Sequence, residues 1–152
     1  YRTESVNLYV RKDEANKFQI DNLGDIVNFQ FLLGVSRGYF YGDTYEELIQ
    51  NPDFKLHIEE VTNDTFNYKK LLNHRIDGFL ADPISFASTI EKENLSEKIE
   101  AHSLTIYSAD IFIMFSKKSV SPQIVDDFNK SISEIKKNGT YEKILNKYNI
   151  KI

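Results

Sequence analysis

The stretch Phe29-Gln30-Phe31-Leu32-Leu33-Gly34-Val35-Ser36-Arg37-Gly38-Tyr39-Phe40-Tyr41-Gly42 decides the fold that the sequence predicts. It begins as an apolar run of strand length, too short to cross a membrane. The run stops at Ser36-Arg37-Gly38, where glycine permits a tight turn and lets a ligand approach the backbone. A helical pattern follows over 43–49. A buried strand, a glycine turn and a helix start in this order leave backbone N–H groups for an anion or, in an ordinary turn, for water.

Composition excludes several classes of protein. With 152 residues, of which 41% are hydrophobic and 28% charged, the chain has the length and composition of one globular domain. A net charge of −4 without a basic arm or stripe argues against a nucleic-acid partner. The absence of cysteine excludes disulfides, thiolate metal sites and cysteine nucleophiles.

The first residues, Tyr1-Arg2-Thr3-Glu4, are polar and lack the apolar segment of a signal peptide. Met114 is the only methionine, so no initiator methionine is present. We therefore expect the chain to begin inside a longer gene product that is processed or cut.

Strand and helix patterns alternate along most of the chain. Val6, Leu8 and Val10 alternate with other residues and predict a half-buried strand over 5–11. The further predicted elements are a short helical turn at 22–27, the strand from Phe29, a helix at 43–50, a strand at 54–61, a helix ending near 73–75, a strand at 76–81 and a helix from Pro83. Strands that alternate with helices between 29 and 90 predict a parallel α/β sheet.

The last third of the chain changes character. Residues 94–100 are predicted to be irregular, and 104–115 to form two apolar pieces broken at Ser108-Ala109-Asp110. Ser121-Pro122 starts an amphipathic helix that Asn138-Gly139 closes, and a second helix follows from Thr140.

Ligands of parallel α/β sheets bind beyond the carboxyl ends of the strands. Three strand ends form a predicted rim there, and its polar members are a glycine turn, two capping residues and a carboxylate. The candidate ligand-binding residues are Ser36, Arg37, Gly38, Tyr39, Phe40, Thr62, Asn63 and Asp82. Turn N–H groups could bind an anionic group and Asp82 an ammonium, so the rim suits a small zwitterion.

Each candidate also has a structural interpretation. Asp82 precedes Pro83 and could cap the helix that starts there. Arg37 could bind an anionic ligand through a bidentate fork or lie in solvent. Tyr39, Phe40 and Tyr41 could stack on a ligand or pack on the protein. Thr62 and Asn63 are expected to be helix caps first and ligand contacts second.

No metal or other cofactor is expected. His57, His74 and His102 have no metal-ligand spacing between them. Asp77 is expected to serve the hydrogen bonds of its own strand and not the ligand.

A set of segments occurs in a familiar order. They are Val-Asn-Leu-Tyr-Val-Arg-Lys-Asp at 6–13, Gly-Val-Ser-Arg-Gly-Tyr-Phe-Tyr-Gly at 34–42, Leu-Leu-Asn-His-Arg-Ile-Asp-Gly-Phe-Leu-Ala-Asp at 71–82, Phe-Ser-Lys-Lys-Ser at 115–119 and Ile-Lys-Lys-Asn-Gly-Thr-Tyr-Glu-Lys-Ile at 135–144. The set resembles the family 3 extracellular solute-binding proteins, which have the type II periplasmic binding fold and are typified by polar amino-acid receptors of ABC transporters. The resemblance covers nearly the whole chain.

The resemblance implies two lobes that are joined by hinge strands and close on a ligand. Residues 1–10 and 106–114 would be the hinge crossings, 11–105 the second lobe with its complete parallel sheet, and 115–152 the C-terminal helices of the first lobe. Asp82 matches the position whose carboxylate takes the ligand ammonium. Tyr39 and Phe40 stand where relatives often carry serine or threonine, which puts a standard α-amino-acid ligand in doubt.

The resemblance also implies that most of the first lobe is missing, with the aromatic and the arginine that grip the ligand. The helices of 121–148 would then have apolar faces without a sheet to cover. We expect that the chain is a fragment, or that its missing half comes from another chain or copy, with a homodimer through these helices as one form.

The leading functional hypothesis is a non-catalytic, periplasmic or extracytoplasmic receptor that delivers a small polar solute to an ABC permease. The ending Asn149-Ile150-Lys151-Ile152 is typical of such a receptor. The alternative is the ligand-sensing input domain of a membrane receptor, such as a sensor kinase. A dehydratase acting on prephenate-like substrates is a third hypothesis, for which Glu59, Glu60 and Asp82 are the only carboxylates near strand ends to nominate.

Overall fold

A computed structural model describes residues 2–148 of the chain, so Tyr1 and the ending 149–152, with the expectations placed on them, lie outside the described residues. The elements are β1 (Arg2–Arg11), a 3₁₀ helix (Leu23–Phe29), β2 (Leu33–Ser36), α1 (Asp43–Leu48), α2 (Pro52–Lys55), β3 (Ile58–Val61), α3 (Thr65–Leu72), β4 (Gly78–Ala81), α4 (Pro83–Lys92), β5 (Ile99–Ile111), α5 (Pro122–Lys137) and α6 (Thr140–Lys147). Within the described part of the chain, no helix has the length and apolar character that crossing a membrane requires.

The strands form one mixed sheet in the order β3-β2-β4-β1-β5. Strand β2 pairs in parallel with β3 and with β4, so Leu33 lies beside Ile58 on one side and Gly78 on the other. Strand β1 is antiparallel to β4 and places Leu8 opposite Leu80. The predicted α/β class is confirmed, and the alternation between 29 and 90 corresponds to the three parallel strands.

The sheet has an apolar cluster on each face. Leu8 and Leu80 belong to one cluster, whereas their neighbours Tyr9 and Phe79 belong to the other. Successive side chains of a strand point to opposite faces, so the two clusters lie on opposite sides of the sheet. The expectation that β1 is half buried is therefore wrong, because Tyr9 is 5% exposed.

Two strands begin later than the sequence pattern predicts. The apolar run from Phe29 starts as the end of the 3₁₀ helix, which Gln30 ends with a left-handed backbone at φ 52°. The segment predicted as a strand at 54–61 begins as the end of helix α2. That helix forms because Pro52 stands at the first helical position and Asn51 Oδ1 accepts the N–H of Asp53 at 2.9 Å.

Strand β5 runs through two segments that were predicted to interrupt it. It includes the end of the segment expected to be irregular, and it continues through Ser108-Ala109-Asp110 without a break. Since β5 is the last strand in the sheet order, polar side chains along it can face solvent without loss of pairing. Thr3 Oγ1 donates a hydrogen bond to Asp110 Oδ1 at 2.9 Å.

The described chain divides into two compact units, residues 5–108 and residues 109–148 with 2–4. The first contains most of the sheet, its helices and both apolar clusters. In the second, α5 and α6 have no buried residue, and Ile124 and Ile144 are about half exposed at 54% and 47%. The assignment of these units to lobes and hinges stays a prediction.

Candidate functional site

A pocket lies within the unit of residues 5–108, at the carboxyl ends of β2 and β4. Its volume of about 70 Å³ has room for several water molecules or a small polar group. The lining residues come from two strand ends, the turn after β2, and helices α3 and α4. They are Ser36, Tyr39, Tyr41, Asp64, Asn67, Phe79, Leu80, Ala81, Asp82, Ser85, Phe86 and Thr89.

Ser36, the last residue of β2, organises one side of the pocket. Its hydroxyl donates to Asp64 Oδ1, and the amide of Asn67 donates to the same hydroxyl oxygen at 3.4 Å. Its backbone N–H donates to the Tyr41 hydroxyl at 2.7 Å. The end of β2 is thus tied to the start of α3 and to the turn after the strand.

Asp82 follows β4 and organises the other side. Its Oδ1 accepts the backbone N–H of Ser85 at 2.8 Å and the Ser85 hydroxyl at 2.7 Å, which is an N-cap of α4. The residue is 3% exposed and still lines the pocket. The cap predicted from the Asp82-Pro83 pair is confirmed, and the cap leaves the carboxylate at the pocket wall.

Aromatic rings surround the polar groups. Phe86 packs edge-on against Tyr9 with ring centroids 5.0 Å apart, and Tyr39 lies 5.1 Å from Tyr41. Burial, and secondarily the negative charge of Asp82, raises the pKa of Tyr9 to about 12. Burial also raises the pKa of Tyr41 above its ordinary value. Both phenols are therefore held neutral beside the carboxylates.

No protein-family model and no curated protein matches this sequence. Solved structures do match it, over 97% of the chain. One is described as the second substrate-binding domain of an amino acid ABC transporter from Streptococcus pneumoniae, with a TM-score of 0.66 and 21% identity. The others include an ancestral arginine-binding protein bound to arginine, with a TM-score of 0.64 and 19% identity, and the AvGluR1 ligand-binding domain in complex with glutamate, with a TM-score of 0.68 and 17% identity.

The chain has the type II periplasmic-binding-protein fold. It spans 62%, 61% and 57% of the lengths of those three structures. At these identities the likeness concerns the fold, and the arginine and glutamate ligands belong to those proteins.

In this periplasmic-binding-protein fold, the turn after β2 differs from the expected anion site. Gly38 does adopt a left-handed backbone at φ 74°, but α1 begins only at Asp43. The N–H groups of Ser36, Arg37 and Tyr39 donate to the Tyr41 hydroxyl, to Val61 O and to Ser36 O, respectively. The expectation that the turn amides face solvent or an anion is wrong for these three groups, because internal acceptors occupy them.

The other predicted candidates lie outside the pocket lining. Arg37 has a side chain that is 67% exposed and pairs with Glu60 on the surface, outside the pocket lining. Phe40 is 49% exposed and packs edge-on against Tyr107. Asn63 Oδ1 accepts the N–H and the hydroxyl of Thr65, the first residue of α3, although the N-cap position itself is Asp64. Ligand contact by these residues stays a prediction.

Among the predicted residues, the pocket thus brings together Ser36, Tyr39 and Asp82. Sequence reasoning missed Asp64 and Asn67, because their place in the pocket depends on how β2 pairs with β3. Tyr41, considered from the sequence for stacking on a ligand, also lines the pocket. Ser85, Phe86 and Thr89 were also missed, although their spacing after the Asp82 cap places them on one helix face and could have indicated them.

Two carboxylates nominated for catalysis have other partners. Glu59 forms an ion pair with Lys70 at 2.6 Å, and Glu60 pairs with Arg37. Neither lines the pocket. Among residues 2–148, no group of three or more histidine, aspartate or glutamate side chains is placed to hold a metal ion. Asp77 accepts the N–H of Leu32 at 2.9 Å, the strand role expected for it.

Proposed function

We propose that the chain is the extracytoplasmic solute-binding component of an ABC transporter and binds a small polar solute, an amino acid or similar compound. The observation that carries the proposal is a pocket at the carboxyl ends of parallel strands, with the buried carboxylate of Asp82 in its wall. The fold shared with a domain described as part of an amino acid ABC transporter supports the same class.

Different walls of the pocket are proposed to contact different parts of the ligand. Asp82 accepts hydrogen bonds from the ligand ammonium, while its own bonds to Ser85 keep the carboxylate oriented. Tyr39, Tyr41 and Phe86 contact the apolar part of the ligand. The function is binding without a catalytic step, and delivery to a permease is a property proposed for the whole protein.

A ligand screen on the full-length protein tests the binding function. The twenty amino acids are added singly in a thermal-shift assay, with a neutral sugar as the control, and hits are measured by calorimetry. We expect at least one amino acid to raise the melting temperature. We expect Asp82→Asn to lower the affinity for that ligand roughly ten- to one-hundred-fold, the loss expected on removing a charge-assisted hydrogen bond.

Asparagine caps helices as well as aspartate does, so Asp82→Asn keeps α4 capped and isolates the charge. Asp53→Asn makes the same chemical change at an exposed residue outside the pocket and should leave affinity unchanged. If no amino acid stabilises the protein, or if both variants bind it equally well, the proposal is wrong.

Transport and sensing share this binding step and differ in the event that binding triggers. As a transport receptor, the protein is required for uptake of its labelled ligand by intact cells. As the input domain of a membrane receptor, it is required for a signalling response and dispensable for uptake. Measuring uptake in a deletion strain, with and without a plasmid copy of the gene, separates the two.

A further inference from the structure

The pair Asn138-Gly139 ends helix α5 and leads into α6, away from the residues that line the pocket. An asparagine followed by glycine can lose ammonia without an enzyme. The backbone nitrogen of the glycine attacks the side-chain carbonyl carbon of the asparagine, and water later opens the five-membered ring that forms. The reaction requires an accessible amide, a backbone N–H that is not held by an acceptor, and room around the glycine.

The turn between α5 and α6 meets these requirements. Asn138 is exposed, and a Cβ built on Gly139 would meet no heavy atom within 4 Å beyond its chain neighbours. Among the described residues, none accepts a hydrogen bond from the N–H of Gly139. Gly139 also has φ 76°, a conformation that glycine adopts and leaves at little steric cost. The attacking nitrogen is therefore free to approach the side chain of Asn138.

A neighbouring donor activates the amide. The N–H of Thr140, the first residue of α6, donates to Asn138 Oδ1 at 3.0 Å. This bond polarises the side-chain carbonyl and lies at the oxygen on which negative charge develops when the ring closes. Donors that are already placed at a developing oxyanion lower the barrier to such a reaction. The turn thus both exposes the amide of Asn138 and favours attack on it.

The fold protects a second pair that has the same reactivity. Asp77-Gly78 can close the same ring with loss of water. Gly78 is buried at the start of β4, however, and its N–H donates to Leu32 O at 3.3 Å. A Cβ on Gly78 would lie 2.7 Å from the ring of Phe31, so the backbone has no room to rearrange. The structure therefore distinguishes two pairs that the sequence presents alike.

We propose that Asn138 is a site of spontaneous deamidation in the folded protein. When the ring closes, the bond from Gly139 N to Asn138 Cγ forms, and the side-chain NH₂ leaves as ammonia with the proton of the attacking N–H. Water then breaks one of the two C–N bonds of the ring and gives either aspartate or isoaspartate. Both products add a negative charge, and isoaspartate also lengthens the main chain between α5 and α6 by one methylene.

Ageing the full-length protein in mildly alkaline buffer tests the proposal, with digestion by trypsin in mildly acidic buffer and mass spectrometry of the peptides. Peptides 119–130 and 138–143 each contain one asparagine, Asn129 and Asn138. Asn129 is also exposed but lies inside α5, where backbone N–H groups donate to the preceding turn. We expect 138–143 to convert at least roughly ten-fold faster, a ratio that corresponds to about 1.4 kcal/mol in the barrier. Equal conversion of the two peptides overturns the proposal.

A variant of the same residue checks the chemistry. Asn138→Gln keeps a side-chain amide but would have to close a six-membered ring, so its peptide 138–143 should stay unchanged over the same period. Conversion of that peptide at the rate of the unchanged protein would show that ring closure through Gly139 is not the reaction.

Peptide 76–92 checks the role of the fold, because it contains Asp77-Gly78 and no asparagine. A protein isoaspartyl methyltransferase labels isoaspartate in each peptide after ageing in buffer or in denaturant. We expect label at 138–143 under both conditions and at 76–92 in denaturant alone. Label at 138–143 in denaturant alone would mean that the folded turn prevents the reaction, and this result also overturns the proposal.

Discussion

The side chain of Arg11 illustrates how much one residue can hold together in this fold. Its guanidinium donates to Leu71 O at 3.1 Å and Ile76 O at 2.7 Å, and it pairs with Glu14 at 2.8 Å and Asp77 at 3.3 Å. It is 8% exposed. We expect Arg11→Ala to lower the free energy of unfolding by about 3–5 kcal/mol, because two buried carbonyls and two partly buried carboxylates lose their donor. Urea denaturation measures the change.

Lys17 provides a matched control, since it also pairs with Glu14 but has a side chain that is 54% exposed. Lys17→Ala should cost less than about 1 kcal/mol, as exposed ion pairs do. Equal and small losses in both variants would mean that the Arg11 contacts are not the stabilising network that the structure indicates.

Arg11 also shows where residue-level prediction stops. Strand alternation correctly separates Val10 from Arg11, because the two side chains point to opposite faces. The alternation does not show that helices cover both faces of the sheet, so the burial of Arg11 could not be predicted. Asp82 could be predicted, because an aspartate before a proline is a local helix-start signal. Asp64 and Asn67 reach the pocket only through strand pairing, which no local signal contains.

At the scale of elements, α4 depends on the cap that Asp82 provides. Asp82→Ala removes the acceptor of the Ser85 N–H and hydroxyl, so we expect a loss of about 0.5–2 kcal/mol in the free energy of unfolding. Asp82→Asn should be within a few tenths of a kcal/mol of the unchanged protein, because asparagine caps equally well. Chemical denaturation of both variants without ligand checks the order. A loss as large in the asparagine variant as in the alanine variant would show that the charge, and not the cap, stabilises α4.

The elements that were predicted correctly have signals within themselves. Proline at the first helical position marks α4 and α5, and β1 alternates along its length. The start of β2 at Leu33 has no such signal, because the same short apolar run is compatible with a strand and with a buried helical turn. The continuity of β5 could not be predicted from the sequence because the strand contains many polar residues. Its polar residues resemble a loop until its position at the end of the sheet order is known.

At the scale of the whole molecule, burying both faces of the sheet has a consequence for alkaline stability. Burial raises the pKa of Tyr9 to about 12 and that of Tyr45 to about 12. Unfolding exposes both phenols and returns each pKa to about 10. A pKa raised in the folded state favours the neutral phenol there, so the stabilisation is complete below pH 10 and is lost as pH rises from about 10 to about 12.

We therefore expect the free energy of unfolding to fall steeply between about pH 10 and pH 12, with each buried phenol adding up to about 1.4 kcal/mol per pH unit to the slope. Tyr9→Phe removes one of these titrating groups. The slope of the free energy of unfolding against pH should then fall by up to about 1.4 kcal/mol per pH unit, the contribution of one proton. Urea denaturation at pH 8, 10, 11 and 11.5 gives the slope for each protein, and the value at pH 8 gives the change in stability that is independent of titration. An unchanged slope in Tyr9→Phe would mean that Tyr9 is not the phenol that the folded core keeps neutral. A shallower dependence of stability on pH in Tyr9→Phe would show that deprotonation of Tyr9, on the face of the sheet that packs against Phe86 of the pocket, contributes to alkaline unfolding.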